Sequence, residues 1–567
     1  MGTGSLTLTS TGNILVAAGP NDFSTLHLKG ALAQVNDINK LNLGSVTLGG
    51  GLTVTSGELT QSGALTVSGA TNITATGQPI SLPLANDFQG TASFSGSNVQ
   101  VNDINALNLG AGAISGNLDV FTAGAISQAG VLTVAGASNF NAGGNSISLN
   151  LNNNFTGAVS VNNTGANNVV LNNGGALVLG TSSVGSGTLT VTAGGDITQT
   201  GPLTQAGAGA ASFAVGGIGG VALTNAGNNF LGTATFSVTQ GDVQVTDVDA
   251  LTAVVNVGVA GTPLPKVQAG GALIVSGTTP GLKTITTGGA GSTTTFGTTT
   301  ISGGTGALDV TSAGAISQTG VITAPNLLLA TTSANALLNS QTNVITALGA
   351  TALGTGALNL LDAGGLTVAG AVGATTAIIL NTSGALAINN TLNAGPGSVS
   401  LTTTGAGNSI SQTAAGVITA GNLAVTTTNA NAVLTTATNV VSALGPITQG
   451  LGGMDLKNAA NLTFSGAVNN AGFLLNNTGT AAIHAPINTG AGNLTLNSTG
   501  GITQNAAGTI TSNSIAVTTT NANATLNVAV NNVPNFGPGN VGTGAVAFSA
   551  AGPLTIPARL TPRAAST

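Results

Sequence analysis

The sequence predicts an all-β chain wound as a right-handed parallel β-helix, a β-solenoid of roughly 20–25 coils. Three observations carry that expectation: degenerate repeats run through the chain, short segments alternate apolar with polar residues, and charged and aromatic side chains are almost absent. Charged residues make up 4 % of 567 and aromatics 2 %, while aliphatic and other apolar residues reach 42 % and Gly alone accounts for 88 positions. Such a chain is too apolar for a disordered Gly-rich linker, lacks the strict Gly period of collagen, and lacks the Glu, Lys and Arg of a coiled coil. Its apolar residues need strands to bury them.

The repeats are explicit. Val35-Asn-Asp-Ile-Asn-Lys-Leu-Asn-Leu-Gly44 returns as Val101-Asn-Asp-Ile-Asn-Ala-Leu-Asn-Leu-Gly110, an offset of 66 residues, and a worn copy runs from Val245 to Leu251. A marker precedes each copy: Asn21-Asp-Phe23, Asn86-Asp-Phe88, Asn153-Asn-Phe155 and Asn228-Asn-Phe230. A second family contains Ala123-Gly-Ala-Ile-Ser-Gln128, Gly194-Gly-Asp-Ile-Thr-Gln199 and Ala313-Gly-Ala-Ile-Ser-Gln318, and continues through Ile410-Ser-Gln412 and Ile502-Thr-Gln504 at offsets of 94 and 92. A common submultiple of roughly 22 to 23 residues predicts the length of one coil, with three or four coils to each repeat.

Within a coil, Leu52-Thr-Val54, Leu65-Thr-Val67, Leu132-Thr-Val134 and Leu189-Thr-Val191 read as strands with one buried face. Leu, Val and Ile are expected to form inward ladders, with Thr, Ser and Asn outside. Gly, Asn and Asp between the runs supply the corners. The scarcity of aromatics suggests an interior too narrow for rings. Residues 1–550 are read as one continuous array and residues 551–567, with Pro553, Pro557 and Pro562, as a tail that breaks the repeat.

Charge excludes some functions. Seven basic residues against thirteen acidic give a net charge of −6, and the scattered lysines make no patch for a phosphate backbone, so nucleic acid is not an expected partner. The chain has no Cys, which fits a protein exported unfolded. Its first residues carry neither the basic nor the apolar stretch of a signal peptide.

The run Gly195-Asp-Ile-Thr-Gln-Thr-Gly-Pro-Leu-Thr204, and Asn86-Asp-Phe-Gln-Gly90 followed by Val99-Gln-Val-Asn-Asp103, resemble the repeat regions of filamentous haemagglutinin-type adhesins. The resemblance covers nearly the whole chain. Those proteins are exported by Gram-negative bacteria, by two-partner secretion or as autotransporter passengers. The resemblance implies a structural stalk or adhesive filament segment of a secreted surface protein, with a host or neighbouring cell surface and its glycans as partners and an outer-membrane transporter during export. Because the family's export parts are missing, the chain is expected to be a fragment, and its uncapped ends to associate end to end.

The alternative is a carbohydrate-binding or carbohydrate-active β-helix, so carboxylate clusters matter. Asp242, Asp247 and Asp249 form the densest group and could ligate Ca²⁺ or supply an acid and a base. Asp is also a routine corner residue, and Asp37 and Asp103, which recur in register, read as a turn motif. His27 and His484 have no partners in sequence for a metal site. The reading is therefore of a non-enzyme with no cofactor. The Thr-rich stretch Thr293-Thr-Thr-Phe-Gly-Thr-Thr-Thr300 is either a flat outward Thr array or, as favoured here, ordinary strand composition.

Overall fold

The computed structural model describes residues 4–260, 265–289 and 291–556. It is a parallel β-solenoid of about 26 turns, with no helix among the described residues. The chain divides into two compact units, Met1–Pro280 and Gly281–Thr567.

In the first unit each coil has three sides. Leu59–Gln61, Leu65–Val67 and Thr71–Ala75 follow one another around a coil, and the chain then climbs one level so that Ile80 pairs with Leu59. Apolar residues line up inside. Leu107, Ile126, Ile147, Val169 and Leu189 make one ladder through successive parallel pairings, and all five are buried. Leu132 is inside and Thr133 outside, as the alternation demands. Each such aliphatic side chain contributes about 1.5–3 kcal/mol by leaving water.

Coil length varies along the chain. Ile14 pairs with Ala33, Ala33 with Leu52 and Leu52 with Thr71, steps of 19 residues each, whereas Leu386 to Ile410 in the second unit is a step of 24. The count of about 26 turns lies close to the 20–25 expected.

The 66-residue repeat is not a whole number of coils. Val35 stacks on Val54, Val54 on Ile73 and Ile73 on Phe94, which is three turns. Its sequence counterpart Val101 lies in Val99–Asp103, the strand after Thr91–Ser95, and stacks instead on Leu82. Each repeat thus takes three coils plus one side. Val101, Val120, Phe140 and Val161, and then Leu171, Val191, Phe213 and Phe236, advance in the same way. In the second unit the longer repeats take four coils plus one side: Leu360, Leu380, Leu401, Val425 and Ile447 stack, and Met454–Asn458 follows on the next side.

Corners are tight stacks of small residues. A Cβ on Gly90 would lie 2.4 Å from the carbonyl oxygen of Gly69 one coil away, so only Gly permits that approach. Other corners carry Asn, whose side chain reaches the next coil: Asn98 Oδ1 accepts the Asn117 N–H at 2.8 Å, and Asn117 Oδ1 accepts the Ala137 N–H at 2.9 Å.

One expectation needs correction. The interior does hold rings, for Phe88, Phe140, Phe155, Phe213, Phe230, Phe236, Phe296 and Phe464 are fully buried. They fit because rings from neighbouring coils meet, edge to face in Phe88–Phe94 and Phe140–Phe155 at centroid distances of 6.0 and 5.9 Å, a favourable arrangement of aromatic quadrupoles. The Thr-rich strand Thr294–Ile301 does not present all its Thr outward. Thr294 and Thr299 are buried beside Phe296, and Thr286 Oγ1 and Thr294 Oγ1 share a hydrogen bond of 2.7 Å. At the C-terminal end Val546–Ala550 is a strand and Thr555 bridges Asn535, while Pro557, Arg559, Pro562 and Arg563 lie outside the described residues.

Candidate functional site

The polar chemistry of the interior is concentrated at recurring nodes. Most begin with a strand that overruns its corner, so that the register with the next coil shifts, as between Leu82 and Asn86, while Asn228 sits in the turn after Val221–Leu223. A bulge strands backbone carbonyls that a regular ladder would satisfy. A buried Asn takes them: Asn86 Nδ2 donates to the carbonyls of Leu84 (3.0 Å) and of Asn102 in the next coil (3.1 Å).

The Asn oxygen is used as fully. Asn86 Oδ1 accepts from Gln61 Nε2 (2.8 Å) and from the Leu65 N–H (3.0 Å), both of the preceding coil. Gln61 in turn donates to the Gly63 carbonyl and accepts the Leu84 N–H at the bulge. On the other side, Asp103 accepts the N–H groups of Phe88 and Asn105, each at 2.9 Å. One node therefore joins three levels of the solenoid through Gln, Asn and Asp.

The arrangement recurs with fixed chemistry. Gln128, Asn153 and Asn173 form the next node, with Gln Nε2 to Asn Oδ1 at 2.9 Å and the Phe155 N–H on Asn173 Oδ1 at 2.8 Å. Gln199, Asn228 and Asp247 follow, at 2.9 Å for the amide pair and 2.8 Å for Phe230 N–H to Asp247. The second unit contains Gln318–Asn343–Asp362 and Gln412–Asn439–Asn458, then Gln504–Asn531, where Ala550 occupies the third position. Asn86, Asn228, Asn343, Asn439 and Asn531 are 0 % exposed. A buried amide with all its groups satisfied rigidifies its surroundings, and removing one member leaves the others unpaired at about 1–3 kcal/mol each.

The three aspartates singled out in the sequence separate in role. Asp247 is the acid of a node, 2 % exposed, and accepts the N–H groups of Phe230 (2.8 Å) and Asp249 (3.0 Å). Burial is the main force on its carboxyl and raises its pKa to about 6, against the two backbone donors and with further help from neighbouring Asp249. Burial likewise raises Asp103 and Asp362 above the usual carboxylate value, opposed by their backbone donors. Asp249 receives the Asn229 amide at 3.4 Å, and Asp242 receives the Gln244 amide at 3.2 Å. Among the described residues no group of three or more His, Cys, Asp or Glu could hold a metal ion. His27 Nδ1 accepts the Ser45 N–H at 3.0 Å, and His484 stands in another unit.

Asp37 and Asp103 are turn residues, as read, since each accepts the N–H two residues on. They also clamp the coil before, where Phe23 N–H reaches Asp37 at 2.6 Å. The glutamines were missed as partners. Their signal was present: each follows Ile-Ser, Ile-Thr or Leu-Thr and precedes a Gly two or four residues on, whose carbonyl it bonds.

Three consecutive stretches, residues 29–95, 96–162 and 166–237, match a family described as Repeats of unknown function (DUF5649). No curated protein and no solved structure matches the chain. The family's repeat boundaries give the nodes a simple meaning. Gln61 and Asn86 belong to the first matched repeat and Asp103 to the second; Gln128 and Asn153 belong to the second and Asn173 to the third. These two nodes each sew one matched repeat to the next.

Proposed function

We propose that this chain is a structural stalk or adhesive filament segment of a secreted bacterial surface protein, serving attachment to a host or neighbouring cell surface without catalysis. The observation that carries the reading is the node: fully buried amides and carboxylates are committed to holding successive coils together. Such polar anchoring suits a segment that transmits load from repeat to repeat, because several hydrogen bonds must break together before two repeats part. The outward ladders of Thr, Ser and Asn, with only two ion pairs among the described residues, suit an exported chain that meets water and glycans over a long polar surface.

A carbohydrate-binding reading is favoured by one place. A groove of about 500 Å³ over the first coils is lined by Asp22, Phe23, Asn39, Lys40 and Asn42, and Lys40, paired with Glu58 at 2.8 Å, stands where the second repeat has Ala106.

Beads coated with the full chain test attachment. They should adhere to cell surfaces and withstand stretching until repeats yield one at a time, each 66-residue repeat releasing ~220 Å of chain. Release of reducing sugar from a polysaccharide panel, or extension of the chain without any stepwise resistance, would overturn the proposal.

A further inference from the structure

One outward strand position departs from its own repeat. Leu118-Asp-Val-Phe121 corresponds to Leu52-Thr-Val-Thr55, Leu189-Thr-Val-Thr192 and Leu308-Asp-Val-Thr311, each of which leads on to a node glutamine. Those three copies carry Thr at the fourth place and this one carries Phe. Phe121 stands between buried Val120 and buried Thr122, so it belongs to the outer face, and its ring stays partly in water.

The exchange of Thr for Phe works against the fold. A partly hydrated ring forgoes the stabilisation that full burial gives Phe88 or Phe140. It also leaves an amide stranded. Asn102, the ladder neighbour of Phe121 in the coil before, donates through Nδ2 to the Pro83 carbonyl at 2.7 Å, while its Oδ1 is out of water with no hydrogen-bond partner. The matching Asn36 and Asn172, neighbours of Thr55 and Thr192, have no such stranded oxygen. A ring kept where the coil would be better served by Thr points to a use outside the coil.

The surroundings of the ring define what it would take. Phe121, Asn102, Asn141, Pro83 and Ile104 line a groove of about 500 Å³, separate from the one beside Lys40. Asn141, the neighbour in the coil after, accepts the Gly143 N–H through Oδ1 at 3.0 Å, and its Nδ2 has no partner among the described residues. Asp119, two residues before Phe121 on the same face, makes neither a hydrogen bond nor an ion pair among the described residues. No Lys, Arg or His occurs between Lys40 and Lys266, so an anionic ligand would find no counter-charge. A peptide strand would find no edge to join, because Leu118–Thr122 is paired on both sides. We infer that this groove binds a neutral oligosaccharide. The C–H face of one pyranose ring stacks on Phe121, and its hydroxyls, each both donor and acceptor, meet Asn141 Nδ2, the Asp119 carboxylate and the stranded Asn102 oxygen. An aromatic floor with a few converging polar groups is the usual composition of a small-ligand site.

Calorimetric titration of the full chain with cellohexaose, xylohexaose and chitohexaose, and with heparin as the anionic comparison, tests this. At least one neutral hexamer should bind and heparin should not, and Phe121→Thr should weaken the binding at least ~10-fold. That variant installs the residue of the other copies, so its melting temperature should equal or exceed that of the natural chain, whereas a ring kept for packing would lower it on removal. Adding Thr192→Phe to Phe121→Thr should not restore binding, because Thr192 lies between Asn172 and Ala214 and lacks the second amide. The inference is overturned if no neutral hexamer binds, if heparin binds more tightly, if Phe121→Thr binds as before or melts lower, or if Thr192→Phe rescues it. Self-association abolished by Phe121→Thr would overturn it too, by making a second copy the occupant. Adhesion of coated beads is a separate outcome: it can fail while the hexamer binds, and it can persist in Phe121→Thr, so the site and the attachment role stand or fall apart.

Discussion

Replacing Asp247 by Asn should stabilise the first unit at neutral pH and leave it unchanged in acid. The carboxyl is 2 % exposed, and its pKa rises from 3.8 to about 6 on folding, chiefly through burial. A group whose folded pKa lies above its unfolded value adds stability below the unfolded value and loses it as pH climbs through the folded one. The natural chain should thus be less stable at pH 7.5 than at pH 4, with the change falling between about 4 and 6. A shift of that size corresponds to at most about 3 kcal/mol. Asn abolishes the dependence, and the fold already accepts it: at the matching position Asn173 Oδ1 takes the Phe155 N–H at 2.8 Å, and its Nδ2 donates to Ala176 at 2.7 Å. Ala250 stands in the place of Ala176, so the new amide finds the same carbonyl. Exchange rates of the amides around residues 228–249, compared between Asp247→Asn and the natural chain at equal pH, measure this directly. Protection should be at least ~10-fold higher in the variant at pH 7.5 and similar at pH 4. Greater protection in the natural chain at both pH values would refute the reasoning, since the ionised carboxylate would then be the better acceptor.

Three further outcomes are expected. Asn343→Ala should cost about 3–5 kcal/mol, because Gln318, the Ile322 N–H and the carbonyls of Leu338 and Leu361 all lose their partner; a denaturant midpoint unchanged from the natural chain would show the node to be ornamental. Leu132→Asp buries a charge with nothing to meet it and should lower the melting temperature, while Thr133→Asp, on the exposed face, should be mild; equal losses would mean the strand faces are misassigned. Thr71→Val should stabilise by about 1 kcal/mol, because the Thr71 hydroxyl is buried without a hydrogen-bond partner and the isosteric methyl avoids its desolvation cost; a lower melting temperature would reveal a water held there.

Leu132-Thr-Val134 shows what was legible in the sequence: alternation has period two, a pleated strand has period two, and the inward residues follow. The repeats were legible too, with Asn-x-Phe, Val-Asn-Asp and Ile-Ser-Gln each visible as a recurring string. That they meet in one node was not. Gln61 and Asn86 are 25 residues apart and Asn86 and Asp103 are 17 apart, and neither interval is a whole coil, so no periodicity points from one to the other. The extra side in each repeat was missed for the same reason. Dividing 66 by three assumes that repeats end where coils end, and Val101 stacking on Leu82 shows that they do not. The buried Phe residues escaped because composition reports how many rings there are, while Phe213 facing Phe236 at 5.5 Å depends on which coils become neighbours.

The extra side taken by every repeat bears on how such a chain can change length. Within the first unit the nodes of Asn21, Asn86, Asn153 and Asn228 fall on successive sides, and after three repeats the first side comes round again. A node needs only the repeat directly before it and the repeat directly after it. Deleting or duplicating one repeat would therefore leave every node intact, yet the coils downstream within that unit would turn by one side, carrying Thr and Asn ladders from one azimuth to another. Only a change of three repeats at once preserves the facing. Gene duplication in such an array thus lengthens the molecule by single repeats but conserves the orientation of a distal surface only by threes, and a ligand read on one side would register the difference.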